Sequence, residues 1–239
     1  MQSISENLEN VGFTNCAECK KVAGAILFCI AKKVPLVCKG NAELIAKVMA
    51  SALGKSYFYI LPSQNEVESL HALKHNSGDV LFFPNAFERF TSSSFNLINS
   101  AFHCASWGGV VLSVEGLELE DLPPLVLDNA VILHTDSLFE RTVQKALLRL
   151  HIENIQVLSH ADSDTSWREA RRSLRVFSPL LSNKAVALYA ELKGFMDIDS
   201  FDQLILFQIF AQSKVKNLEE KFDEILGENN ITTFVKPIN

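Results

Sequence analysis

Apolar positions along this chain follow two periods, and the change between them divides the sequence. Over the part before Asp136, short apolar runs alternate with segments whose apolar residues recur every three or four positions. Ala23, Ile26, Leu27 and Ile30 give a helix from Cys16 to Ile30. Val34 to Gly40 then reads as a buried strand ending at a glycine, and Asn41 to Leu53 as the helix that follows. Ser56 to Leu61 reads as a strand, Asn65 to His75 as a helix, and Asp79 to Phe83 as a strand. Ser92 to Ser94 form a capping region before a helix through Phe95, Leu97, Ile98 and Phe102. Gly108 to Val114 and Ala130 to His134 complete the strands. Strands alternating with helices in this way predict an α/β fold with a five-stranded parallel sheet covered on both faces.

After Asp136 only the helical period persists, in Leu138 to Leu150, Ser166 to Val176, Asn183 to Leu192, Phe201 to Lys214 and Leu218 to Leu226. His160 to Asp164 is a polar connector. The expected organisation is an α/β domain over residues 1–155 and a small all-helical domain over 156–239.

Charge narrows the partners. Twenty-eight acidic against twenty-two basic residues give a net charge of −6, so wholesale coating of nucleic acid is not expected, although a local basic patch is compatible with it. The apolar run Val22 to Ala31 is well short of the roughly 20 residues a membrane span needs. No basic-then-apolar leader opens the chain, and a soluble, cytoplasmic protein without membrane association is expected. Five cysteines, an odd number, fit a reducing compartment better than a disulfide framework. Cys29, Cys38 and Cys104 sit in apolar surroundings and read as core residues.

The junction after the first strand is where a phosphate-binding loop belongs. Such a loop needs several glycines so that backbone N–H groups can wrap phosphates, a lysine for the outer phosphates, and a Ser or Thr for magnesium. Here Lys39 precedes a single glycine, Gly40, and Asn41, Ala42 and Glu43 follow. A glutamate at a helix start suits the helix dipole but repels a phosphate placed there. No nucleotide or other cofactor is expected.

A sheet of five strands beginning at such a degenerate loop, followed by an all-helical lid, resembles the P-loop NTPase division known as AAA+. The resemblance implies four motifs, and each is missing. The acidic pair expected after the third strand is replaced by Pro84 and Asn85. The arginine that reaches a neighbouring subunit, expected before the fifth strand, has no counterpart in Leu122 to Asn129. The lid arginine expected near Asp199 to Asp202 is absent, as is the phosphate loop itself. Within AAA+, Phe95 to Phe102 and Leu122-Pro123-Pro124-Leu125 are similar to elements of the DnaA-type branch, particularly its short regulators. The sliding-clamp motif of those regulators is matched poorly by Met1-Gln2-Ser3-Ile4-Ser5. Clamp-loader and chelatase-type relatives share the layout.

Other constellations have plainer explanations. Cys16 and Cys19 have CxxC spacing, but no second ligand pair follows at finger-like spacing and no strand precedes them, so they read as a coincidence at a helix start. His71 and His75 lack the glutamate of a zinc-protease helix. Ser92 to Ser94 have no glycine-flanked elbow. Asp197, Asp199 and Asp202 lack the glycine and terminal glutamate of a calcium loop, and helix capping accounts for them.

The strongest surface signal is Arg168, Arg171, Arg172 and Arg175, whose spacing aligns four guanidinium groups along one helix face. That face suits phosphates, an acidic protein surface, or the chain's own carboxylates. The expected function is therefore that of a non-enzymatic AAA+-like binding or regulatory module in a replication-associated assembly. Its partner would be a protein, such as an active AAA+ ATPase or replication protein, or DNA held by the arginine face. The alternatives are a non-catalytic subunit of a clamp-loader or chelatase-type complex, and an α/β enzyme with an unrecognised pocket. If the arginine face carries the contact, charge-neutralising substitutions at Arg168 and Arg172 should weaken binding and flatten its dependence on salt. Affinity measured across a salt series decides this, and an unchanged slope removes the assignment.

Overall fold

The computed structural model describes residues 2–13, 16–61, 78–87, 96, 98–101, 107–114, 122–135, 146–147 and 183–196. Five parallel strands form one sheet: β1 (Leu36–Lys39), β2 (Tyr57–Tyr59), β3 (Val80–Phe83), β4 (Gly109–Ser113) and β5 (Val131–His134). Their spatial order is β2-β3-β4-β1-β5. Helices α1 (Gln2–Asn10), α2 (Cys16–Lys32), α3 (Ala42–Leu53), α4 (Pro124–Asn129) and α5 (Asn183–Leu192) pack around it, and a 3₁₀ turn, Lys193–Phe195, extends α5.

Every central strand is apolar on both faces, and alternate residues feed two separate cores. Leu36, Cys38, Val80, Phe82, Val111, Val131 and Leu133 join a core built with α1, α2, α3 and α5. Val37, Leu81, Phe83, Val110, Leu112 and Ile132 join the other, with Ile98, Ala101, Trp107 and Val126 of α4. From β1 the chain crosses by α3, on the first face, to the far edge. From β4 it crosses by α4, on the second face, in the opposite direction. Reversing direction and face together keeps both crossovers of one hand, as connections between parallel strands require.

The expected elements agree closely with these. Helix α3 begins one residue after Asn41 and stops at Gly54, whose φ of 65° lets its N–H reach the carbonyls of Ala50 and Ser51. Residues 96 and 98–101 are helical, as the pattern around Ile98 predicts. Cys29 and Cys38 are fully buried, and burial pushes both thiols up from their ordinary pKa, which leaves them unreactive. The start of α2 at Cys16 matches the reading of the CxxC spacing as a helix start, and the Cys19 thiol is buried against the Phe13 carbonyl.

Three elements depart from the pattern. Helix α1 was not expected, yet Ile4 and Leu8, four apart, are both fully buried against the first core. Helix α4 lies in the stretch before β5, Leu122 to Asn129, to which the pattern assigns no element; Pro124 sits at its first turn, where the missing N–H costs nothing. The helix expected over Leu138 to Leu150 is interrupted, because Ala146 and Leu147 are not helical. Leu147 packs instead against the first core, so tertiary packing overrides local periodicity there.

Helix α5 lies in the segment assigned to the all-helical domain, and it packs directly on α2 and α4. Tyr189 on α5 is buried and its hydroxyl donates to the Ala130 carbonyl, just before β5. Phe195 meets Phe28 edge-on with ring centroids 5.2 Å apart, and Lys32 pairs with Glu191 at 2.7 Å. Gly24 makes this approach possible, since a Cβ there would lie 2.7 Å from the Phe195 carbonyl oxygen. At the opposite end of the sheet from the β1–α3 loop, Lys33, the residue after α2, has φ 56° and donates from Nζ to the Trp107 carbonyl at 2.8 Å. Desolvation lowers its pKa.

The tightest contact is at the start of β4. A Cβ on Gly108 would sit 2.2 Å from the Gly78 carbonyl oxygen and 2.7 Å from Leu53 Cδ1, whereas one on Gly109 would meet chiefly the flexible Met49 thioether. Gly108→Ala should therefore lower stability by about 1–3 kcal/mol, with Gly109→Ala costing less. Urea-unfolding midpoints of the two variants check the order.

Candidate functional site

Strands β1 and β4 are neighbours whose onward connections lead to opposite sides of the sheet, which makes their C-terminal ends a topological switch point. That is where open α/β sheets place ligands. The candidate residues Lys39, Gly40, Asn41, Ala42 and Glu43 lie at this point, at the end of β1 and in the first turn of α3. Ser113 ends β4, Thr135 follows β5, and Pro84 and Asn85 follow β3. The backbone connects these ends: the Val114 N–H donates to the Cys38 carbonyl, and the Ala86 N–H to the Ser113 carbonyl, at 3.0 and 2.9 Å.

The loop is closed upon itself. Gly40 and Asn41 adopt φ values of 78° and 40°, which bend the chain sharply between β1 and α3. Thr135 holds that bend. Its N–H donates to the Lys39 carbonyl at 2.9 Å, and its hydroxyl donates to the Gly40 carbonyl at 2.6 Å. The Asn41 side-chain amide returns a hydrogen bond to the Thr135 carbonyl at 3.2 Å. Asn41 therefore stands at the helix cap position without capping it, because its side chain is turned toward β5. Thr135 itself is fully buried.

The first turn of α3 carries its own anion. Glu43 pairs with Lys47 at 2.7 Å and accepts a hydrogen bond of 3.1 Å from the Tyr57 hydroxyl. Lys47 also lies over the Tyr57 ring, 5.8 Å from its centroid. The hydrogen bond from Lys47 and then that from Tyr59 hold the Glu43 carboxyl below its ordinary pKa, against a smaller opposing effect of desolvation. The same contacts raise Lys47, with the Glu43 hydrogen bond the largest cause. Tyr57 and Tyr59 are raised, first by desolvation and then by their hydrogen bonds to this carboxylate. A fixed negative charge thus occupies the positive end of the α3 dipole.

Lys39 is the last residue of β1, so its backbone is committed to β5 through Thr135. Pro84 and Asn85 form a turn after β3 in which Asn85 is exposed with φ 46°. No group of three or more His, Cys, Asp or Glu side chains among the described residues converges as a metal site would require. Arg168, Arg171, Arg172 and Arg175 lie outside the described residues, as do His71, His75, Ser92 to Ser94, Cys104, Asp197, Asp199 and Asp202.

Sequence reasoning located the loop but missed what closes it. Thr135 had one local signal, a polar residue directly after a buried strand. The Glu43–Lys47 pair was visible as an i,i+4 spacing. Nothing local indicated that Tyr57 and Tyr59, on another element, would complete it.

Comparisons of the chain with models of known families, with curated proteins and with solved structures gave no match.

Thr135→Val keeps the shape of the side chain and deletes the hydroxyl, leaving the Gly40 carbonyl without that donor. The expected loss is about 1–3 kcal/mol of stability, with Thr135→Ser retaining most of it. Denaturant titration of both variants tests the lock, and equal losses would assign Thr135 a packing role instead.

Proposed function

We propose that this protein is a non-hydrolysing AAA+-like module that works by binding other proteins, as a regulatory component of a replication-associated assembly. One observation carries the reading. The loop at the sheet's switch point has a single glycine, is tied to β5 by Thr135, and is followed by a carboxylate stabilised in the first turn of α3. A nucleotide phosphate in that position would meet Glu43 and would have to break the Thr135 contacts before backbone N–H groups could wrap it.

The five-stranded parallel sheet and the crossover helices on opposite faces support the family reading at the level of layout. The same features are consistent with a partner-binding role. A sheet with a rigid β1–β5 edge presents fixed surfaces, and a loop that needs no ligand to be ordered does not require nucleotide to hold its shape. Among the described residues no helix is long and apolar enough to cross a membrane.

Thermal and calorimetric titration with ATP and ADP, with and without magnesium, tests this reading. A ligand at one hundred times its dissociation constant adds about 2.7 kcal/mol to the native state, an amount readily seen as a rise in melting temperature. The expected result is no shift at millimolar nucleotide. A clear magnesium-dependent shift overturns the reading and brings the enzyme alternative forward.

A further inference from the structure

The two edges of the sheet are finished differently. At the β2 edge Phe58 and Tyr59 remain exposed, whereas beside β5 helix α5 reaches helices from both faces of the sheet. Helix α2 belongs to the first core and α4 to the second, and α5 packs on both. The sequence pattern assigns α5 to a helical domain of its own, beyond the connector at His160 to Asp164.

The inward face of α5 has no core of its own. Ala185, Tyr189 and Leu192 recur at helical spacing and are at most 1% exposed. Together with Met196 they join the cluster that holds Leu36 of β1 and Val131 and Leu133 of β5. The 3₁₀ turn that extends α5 is seated at Gly24, in the middle of α2. The three atoms nearest to a Cβ placed there all belong to Phe195 and Met196, with the Phe195 carbonyl oxygen at 2.7 Å and the Met196 Cβ at 3.0 Å. One turn further along α2, Phe28 meets Phe195 edge-on, and one turn beyond that Lys32 pairs with Glu191. Gly24, Phe28 and Lys32 are four residues apart, so a single stripe of α2 receives the whole segment.

We propose that α5 and its 3₁₀ extension are a fixed clasp, seated on the Gly24–Phe28–Lys32 stripe and on α4, which opens only when the first core opens and does not swing as a lid. The reason lies in what departure would uncover. A moving element is drawn from the parts of a structure with few buried apolar contacts. Here the leaving face carries Tyr189 and Leu192, and it would strip cover from the core that β1 and β5 share. Gly24 shows the same commitment on the side of α2, since alanine is ordinarily the more stable residue inside a helix and only the close approach of Phe195 disfavours it. The clasp does not depend on the AAA+-like reading of the β1–α3 loop.

That conflict between helix propensity and seating makes the sign of one substitution decisive. In the full chain, Gly24→Ala should lower the urea-unfolding midpoint by about 0.5 M if the segment stays seated, because the Phe195 backbone must shift. If the segment is mostly away from α2, the same change should raise the midpoint through helix propensity alone. Gly194→Ala is the control, since nothing lies within 4 Å of a Cβ there, and it should leave the midpoint unchanged. Hydrogen exchange of the wild-type chain gives a second readout, in which the amides of α5 and α2 should be exposed by one common opening. A raised or unchanged midpoint for Gly24→Ala overturns the proposal, as does an equal fall for Gly194→Ala. Exchange of α5 through a faster opening of its own overturns it too. If Gly24→Ala does not fold, Phe195→Leu takes its place; it should lower the midpoint, and no change would count against the clasp.

Discussion

Leu36, Val37 and Cys38 are fully buried, with β4 on one side, β5 on the other and a packed core on each face. A strand in that position has no water to satisfy its backbone, so each N–H and C=O must find its partner in a neighbouring strand. The alternation of the strand's side chains between the two cores then restricts the register of β4 and β5 against β1. The same register brings Ser113 and Thr135 to the end of β1, where the candidate site lies. The helices follow from it as well. Apolar residues on both faces of the sheet oblige the chain to supply cover on both faces, and the two crossovers do so by changing face as they change direction.

The loop after β1 shows how a ligand-binding position can be filled from within. In an open α/β sheet the C-terminal end of such a strand offers backbone donors and the positive end of a helix dipole. Here the Thr135 hydroxyl takes one carbonyl of the bend, Asn41 is turned toward β5, and Glu43 supplies the negative charge that the dipole favours. Lys47, Tyr57 and Tyr59 in turn hold Glu43 in its charged form. The result is an ordered loop with no external charge required.

Much of this fold was legible before any coordinates. Strands β1, β3, β4 and β5 and helices α2, α3 and α5 appear within a few residues of where periodicity puts them, because buried parallel strands and amphipathic helices carry their signal locally. The candidate loop was legible for the same reason: a strand ending in glycine before a helix is a local pattern. Helix α1 and helix α4 were not legible. The first depends on a core assembled from distant segments, and the second is a six-residue helix whose Pro-Pro start resembles a loop.

The sequence by itself determined the class of fold, the absence of phosphate-loop residues after Gly40, and the buried character of Cys29 and Cys38. These depend on residue type and on spacing within single elements. Tertiary structure alone decided the strand order, the contact between Thr135 and Gly40 across 95 positions of sequence, and the meeting of Glu43 with Tyr57 and Tyr59. It also decided which edge of the sheet is left with exposed aromatics. Each of these is a pairing between residues on different elements. Local propensity has no term for such pairings; they are settled only when the strands take their register and the two cores close around them.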